Sequence, residues 1–245
     1  VKLAIAHGNR YSPQVTIARK LIADGQIGQV LELRARGKED SRRGGGEDLW
    51  VLGSHIFNLM HFFGGEPYWC FARLLEDNQP VTKEDVVEGA EGIGKLAGDS
   101  VSAMYGMDES LTGFFATQRD TAGGRFALQI RGSKGIIEIV TGYLPQAFVL
   151  EDPMWSPGRS GKKWVPISSA GAGKEEPIKE ASSHMGNVMA CTDLLEAIEE
   201  DRQPEASIYE GRTTVEMIAG VFESHRQGGP VKMPLENRKN PLSML

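Results

Sequence analysis

The sequence predicts an α+β chain, on three observations. Residues 68 to about 149 read as consecutive short strands, YWCFARLL, SVSAMYGM, LTGFFATQ, RFALQIRG, GIIEIV and AFVLED, separated by turn residues such as Asp108-Glu109 and Ala122-Gly123-Gly124. Strands that follow one another through short turns pair antiparallel. Helical spacing flanks that stretch on both sides. With 245 residues, 40% apolar and 24% charged, the chain is long enough to bury a core of its own, as one large domain or two small ones.

Each element follows from local pattern. VKLAIAH reads at once as a buried strand, with neither an initiating methionine nor a cap before it, as if an upstream part were missing. Asn9 to Pro13 makes a turn, and Val15, Ile17, Ala18, Leu21 and Ile22 then repeat at helical spacing until DGQIG stops the helix. Gln29 to Ala35 alternates Val30, Leu31 and Leu33 with polar residues as a strand does, and RGKEDSRRGGGED follows as a polar, Gly-rich loop. Leu49, Leu52, Ile56, Leu59 and Phe63 form the apolar stripe of one helix ended by Gly64 and Gly65. After the strands, residues 151 to 180 read as an exposed excursion with one edge strand at Lys163 to Ile167. Two amphipathic helices, about Ser183 to Glu200 and about Ile208 to Arg226, close the chain before a short strand in VKMPL.

Composition excludes several function classes. A net charge of −6 sets up no general attraction to phosphate backbones or anionic lipid, so neither nucleic acid nor a membrane is expected as a partner. Mean hydropathy is −0.30, and no apolar run approaches the length of a membrane span. Cys70 and Cys191 form no metal spacing and no disulfide framework, so both read as free thiols and no metal is expected.

His55 in WVLGSHIFNLMHFF is the strongest local candidate for chemistry, because helical geometry places Val51, His55, Asn58 and Phe62 on one flank beside the apolar stripe, where a histidine is half hidden. On the sequence alone the commoner account is a structural histidine held by backbone or by Asn58. His61 reads as plain surface and His184 as an N-terminal helix residue. Arg42-Arg43-Gly44-Gly45-Gly46 invites a phosphate-cradle reading, but Glu47 and Asp48 already occupy that helix start and read as cap and dipole partner. Gly92-Ile93-Gly94 lacks the strand-then-helix context of a dinucleotide fingerprint and reads as a loop. Arg34, Arg36, Lys38, Arg42 and Arg43 alternate with Glu39 and Asp40 without aromatic partners, as in a solvated loop from which one or two cations can reach a polar substrate.

The segments NRYSP, KLIADGQIGQVLELRARG, GGGEDLWVLGSHIFNLMHFFGGEP, IRGSKGIIEI and DLLEAIEEDRQPEASIYEGRTTVEMIAGVFESHRQGGPVKMP, in this order, resemble the glucose-fructose oxidoreductase, inositol dehydrogenase and MocA family over nearly the whole chain. The resemblance implies the second domain of such a protein, a large, open, mostly antiparallel sheet with helices on one face. Residues 1–8 would then be the last strand of a Rossmann domain and residues 9–245 a substrate-binding and dimerisation domain. NAD or NADP would be held mainly by the upstream half, which would also carry the glycine fingerprint and the lysine of the Glu-Lys-Pro motif; Lys2 is not that lysine. His55 matches the histidine that takes a hydroxyl proton as hydride leaves for the nicotinamide. An aspartate often stands four residues before it, and here that position is Val51. Asn58, expected to bind substrate, stands where many relatives have aspartate, Asn9 and Arg10 match positions facing substrate or, for Arg10, also the nicotinamide cofactor, and Lys38 lies near another substrate position. The implied activity is hydride transfer between a nicotinamide and a sugar, polyol or related hydroxy compound, in a cytoplasmic homo-oligomer joined through the open sheet face. The alternatives are a nicotinamide-dependent glycosidase of the same family and a non-catalytic dimerisation or ligand-binding domain.

Overall fold

The computed structural model describes all residues except 109–110, 122–125, 142–145, 155, 157 and 179–184, and of Glu91 the backbone alone. A 3-10 turn at Gly8–Tyr11 leads into α1 (Pro13–Ala23), β1 (Val30–Arg36), α2 (Gly46–Val51) and α3 (Gly53–Gly64). The strands follow: β2 (Trp69–Glu76), β3 (Gln79–Pro80), β4 (Val87–Glu88), β5 (Lys95–Leu96), β6 (Ser100–Gly106), β7 (Thr112–Gln118), β8 (Ala127–Gly132), β9 (Ile136–Val140), β10 (Gln146–Leu150), β11 (Val165–Ser168) and β12 (Gly171–Ala172). Helices α4 (Met185–Glu199) and α5 (Ile208–Gln227) and strand β13 (Val231–Lys232) complete the order, with a last 3-10 turn at Pro241–Met244. Eleven strands belong to one large, open sheet, and β4 and β5 form a separate ribbon, so the class is α+β as predicted. The chain divides into two compact units, residues 1–33 with 127–211 and residues 34–126 with 212–245.

In the first unit β12, β11, β10, β9 and β8 pair antiparallel in that order. Alternation is clean in β10, where Ala147 and Val149 are buried between less covered neighbours. Leu128 and Ile130 stand opposite Ile139 and Ile137, and these opposite Ala147 and Val149, all buried. Helix α1 packs on β10 and β11 and buries Val15 and Ala18. Pro13 starts it, where a missing N–H costs nothing. The Tyr11 hydroxyl donates to Asp193 Oδ2 of α4 at 2.7 Å and accepts from the Ala206 N–H at 2.8 Å, fastening the 3-10 turn to α4. Ala190, Ala206 and Met189 pack around that ring.

In the second unit β7, β6 and β2 pair antiparallel, and β2 also takes β13 and β3. Register sets the buried side in rows: Cys70, Tyr105 and Gly113; Ala72, Ala103 and Phe115; Leu74, Val101 and Thr117. Phe57 of α3 meets this face with its ring 4.4 Å from that of Phe115 and edge-on to Tyr105 at 5.8 Å. The Tyr105 hydroxyl donates to the Met217 carbonyl of α5 at 2.9 Å. Helix α5 also finishes β2 beyond its short pairing with β13, since Ser224 Oγ accepts the Ala72 N–H at 2.8 Å and His225 Nδ1 the Leu74 N–H at 3.3 Å. Side chains thereby take up ladder donors that an edge strand would leave open.

The other side of these strands carries Phe71, Met104 and Phe114 directly opposite one another. Phe71 is 45% exposed and Phe114 37%. Trp69 lies over Gly106, where a Cβ would meet the indole nitrogen at 2.0 Å.

Three sequence expectations are corrected. Residues 1–7 form a single antiparallel bridge, Ala4 to Ser207, because one residue pair is all the ladder they find. The stripe from Leu49 to Phe63 spans two helices; Leu52 leaves helical geometry at φ −119°, and the weak helix former Gly53 follows, where a Cβ would sit 2.8 Å from the Asp48 carbonyl. The strand predicted at 163–167 is β11, and it is not an edge, since β12 pairs beyond it. The two-residue strands β3, β4, β5 and β12 have no alternation to read. The turn Ala122-Gly123-Gly124, Glu109 and the predicted helix start at Ser183 lie outside the described residues.

Truncating a fully buried aromatic removes packing on every side, so Phe57→Ala is expected to cost about 3–5 kcal/mol in urea unfolding. Phe114→Ala, on the exposed row, is expected to cost about 1 kcal/mol or less.

Candidate functional site

His55 is the third residue of α3, on the flank of the buried stripe, and is half-buried. Burial lowers its pKa from 6.5, because a desolvated imidazolium loses hydration that the neutral ring does not need. The positive end of the helix acts in the same direction. A neutral imidazole is therefore the resting form at neutral pH, which suits a proton acceptor. Val51, four residues earlier, is half-buried at the end of α2 and carries no charge. Asn58, one turn on, is 1% exposed, and its amide donates to Thr214 Oγ1 of α5 at 3.2 Å. The structure therefore places Asn58 inside the core, where it joins α3 to α5.

The Gly-rich loop holds itself together locally. Asp40 Oδ1 accepts the backbone N–H groups of Arg42 and Arg43, at 3.2 and 2.6 Å, and Asp40 Oδ2 pairs with Lys38 Nζ at 2.9 Å. The Lys38 ammonium, with those N–H groups, draws the Asp40 carboxyl below its usual range. Arg36 pairs with Glu39. Lys38 remains exposed, whereas Glu39 is buried. The glycines answer a different need from a phosphate cradle: a Cβ at Gly45 or Gly46 would strike the backbone at Gly98 or Ala97, and the Gly46 N–H donates to the Gly98 carbonyl at 2.8 Å. Close backbone approach uses these positions and one of their amides.

Asp48 does not cap α2. The N-cap position is Gly45, and Asp48 is wholly buried with Oδ2 accepting from Thr117 Oγ1 of β7 at 2.9 Å. The Lys38 backbone N–H also donates to this carboxylate. Burial pushes its pKa up to about 7, the two hydrogen bonds opposing and the charges of Asp40 and Glu39 adding to the rise. Asp48 Oδ1 has no partner among the described residues. Sequence inspection missed this role, since a carboxylate just after three glycines looks like any helix-start charge.

In the first unit Asn9 and Arg10 lie on the 3-10 turn. Asn9 is half-buried, while Arg10 is 4% exposed and its Nη1 donates to the Glu205 carbonyl at 2.6 Å. The structure thus gives Arg10 a buried anchoring contact in place of an open guanidinium. His61, expected at the surface, is largely covered, with Nε2 2.9 Å from Glu66 Oε1. His184 lies outside the described residues. Cys70 is buried and Cys191 exposed, both unpaired, and burial pushes the Cys70 thiol up to about 12. A cavity of about 200 Å³ in the second unit is lined by Glu47, Glu76, Asp85, Glu88 and Arg119, and includes neither His55 nor Lys38. Among the described residues no cluster of three or more His, Cys, Asp or Glu is placed to hold a metal ion, and no helix is long and apolar enough to cross a membrane.

Comparisons bear on this arrangement. Levoglucosan dehydrogenase, in complex with NADH and levoglucosan, superposes with a TM-score of 0.72 at 19% identity, over 96% of this chain and 67% of that one. An oxidoreductase domain protein from Kribbella flavida gives 0.72 at 20%, over 96% and 67%, and an aldose-aldose oxidoreductase from Caulobacter crescentus complexed with glycerol gives 0.66 at 19%, over 95% and 64%. The chain therefore spans about two thirds of the length of the solved structures it resembles, and likeness at this identity establishes a shared fold. Among curated proteins none matches the sequence. The family profile described as the GFO/IDH/MocA C-terminal domain matches residues 15–138, which takes in β1, the Gly-rich loop, His55 and the strands from β2 to β8. The chain, with that match over half its length and the large antiparallel sheet behind it, belongs to the GFO/IDH/MocA family of oxidoreductases as its C-terminal domain.

Proposed function

We propose that this chain is the substrate-side domain of a nicotinamide-dependent oxidoreductase that acts on a sugar, a polyol or a related hydroxy compound. The observation that carries the proposal is His55, half-buried at the start of α3 with its pKa lowered by burial. In the proposed reaction the neutral imidazole accepts the proton of a substrate hydroxyl while the adjacent carbon gives up hydride to the nicotinamide. Levoglucosan and L-sorbose, bound by the structurally similar dehydrogenase, indicate the substrate class.

Cofactor binding in this proposal falls mainly outside these 245 residues. The glycine-rich loop that joins β1 to α2 spends the amide of Gly46 on backbone, and Gly92 and Gly94 lie between the short strands β4 and β5. Residues 1–8 would be the end of the cofactor domain. Lys38, exposed on its loop, is assigned to substrate hydroxyls, and Asn9 keeps the position facing substrate or nicotinamide that the family resemblance implies. The two free thiols favour the cytoplasm.

The proposal includes a homodimer through the open sheet, for which the exposed row Phe71, Met104 and Phe114 supplies an apolar surface. A second reading, a domain that binds and dimerises without catalysis, draws on Val51, which leaves His55 without the carboxylate that commonly stands four residues before it.

The test is turnover of NAD or NADP with levoglucosan, L-sorbose and D-glucose, by the protein expressed from its whole reading frame. His55→Ala is expected to lower kcat about 10²–10⁴-fold; equal rates in the two proteins would move the assignment to the second reading. Because the folded pKa lies below 6.5, the base is already neutral at pH 7, so kcat/KM should rise with pH only in the acid range and be flat from neutrality upward. Phe114→Asp is expected to turn a dimer into a monomer in light scattering, with the helical circular dichroism unchanged.

A further inference from the structure

Asp48 is the group that neither the fold nor the proposed reaction accounts for. A buried carboxylate is costly, and an apolar or amide side chain would fill the space at lower cost. The surrounding chain is nevertheless shaped to admit it: at Gly37 a Cβ would lie 1.9 Å from Asp48 Oδ2 and 2.8 Å from Thr117 Cβ. Glycine at 37 lets the last turn out of β1 pass directly over the carboxylate, so that the next residue, Lys38, points its backbone N–H into it. The Gly37 N–H is fixed in turn by the Ala116 carbonyl of β7 at 2.9 Å. One side chain on α2 therefore joins the end of β1 to β7 at the point where the basic loop begins.

We propose that Asp48 is a positioning residue that holds the backbone at Lys38, and with it the start of the loop 38–43, in the arrangement that presents the Lys38 ammonium to substrate. The function of the anchor rests on the assignment of Lys38 to substrate made above, whereas its existence does not. The groups around the Asp48 carboxylate are the Thr117 hydroxyl on β7, the Lys38 amide, the backbone at Gly37, and Glu39 and Asp40 of the loop. The two acidic neighbours oppose its ionisation and the two donors favour it. Ionisation strengthens both hydrogen bonds, since charge-assisted bonds are the stronger ones.

The experiment follows the Lys38 amide in ¹⁵N-labelled protein from pH 5 to 9, in the natural sequence and in Asp48→Asn and Thr117→Val. The Lys38 amide proton should move downfield as pH rises, with a midpoint near 7, as Asp48 ionises. Asp48→Asn should abolish that titration. Thr117→Val, which removes one donor to the charged form, should keep it and raise its midpoint. In Asp48→Ala the Lys38 amide should exchange with solvent at least tenfold faster. A Lys38 amide that does not titrate in the natural sequence, or that titrates unchanged in Asp48→Asn, overturns the proposal, and both variants are conservative enough to fold. With levoglucosan as the probe, Asp48→Asn and Lys38→Ala should each raise KM several-fold with kcat within about twofold, and the double variant should be no worse than Lys38→Ala alone. If Lys38→Ala leaves KM unchanged while its amide still reports Asp48, the substrate role of Lys38 is refuted and the anchor is upheld.

Discussion

The second unit depends on one packing event, the burial of Phe57 against Phe115 and Tyr105. Neither strand face nor helix stripe is stable in water alone, and the aromatic contacts add about 0.5–1.5 kcal/mol per pair beyond the area they bury. Their geometry also sets what is exposed. With Ile56, Phe57, Leu59 and Met60 turned fully inward, the residue one position before Ile56 falls on the margin of the covered face. His55 is half-buried for that reason, and its lowered pKa follows from the packing of its neighbours.

The same unit deals with polar groups in two ways. At the surface the loop balances charge locally, Lys38 with Asp40, a contact that stabilises little because water screens it. Inside, polar groups are committed to partners that join elements: Ser224 and His225 to the backbone of β2, Tyr105 to Met217, Asn58 to Thr214, Asp48 to Thr117. Unpaired, such groups would each cost about 1–3 kcal/mol, so a shift of any one element strains several bonds at once.

How much of this was legible in the sequence depends on the range of the interaction concerned. Strands β6 to β10 and both terminal helices follow from local alternation and helical spacing, and the flank position of His55 follows from counting round one helix. The break at Leu52 escaped because a single non-helical residue leaves the stripe in phase. Asn58, Arg10 and Asp48 escaped for a different reason, since their partners Thr214, Glu205 and Thr117 lie 156, 195 and 69 positions away. A polar residue on a helix flank looks the same whether it faces substrate or a distant hydroxyl. The family resemblance supplied candidate positions for the site and could not say which of them this chain had turned inward.

Val51 and Asp48 together describe how this chain departs from that resemblance. A carboxylate four residues before His55 would sit one turn away from it and stabilise the imidazolium, raising its pKa and tying the two ionisations together. Here the position is apolar, and the carboxylate that this segment does bury stands three residues earlier, where the strongest charges acting on it are Asp40 and Glu39 of the loop. The pKa of the histidine is then set by burial, and the Asp48 carboxylate by burial with the Thr117 hydroxyl and the Lys38 amide, through separate contacts. For a proton acceptor, loss of the carboxylate means weaker basicity, offset by a ring that stays neutral into mildly acidic solution. An oxidation that passes its proton on to solvent tolerates that exchange, because the imidazolium need only be transient; a mechanism that stores the proton on His55 for return to the same substrate does not. Under the proposed role of His55, the substitution fits net oxidation or reduction of a hydroxy compound better than an internal oxidation and re-reduction.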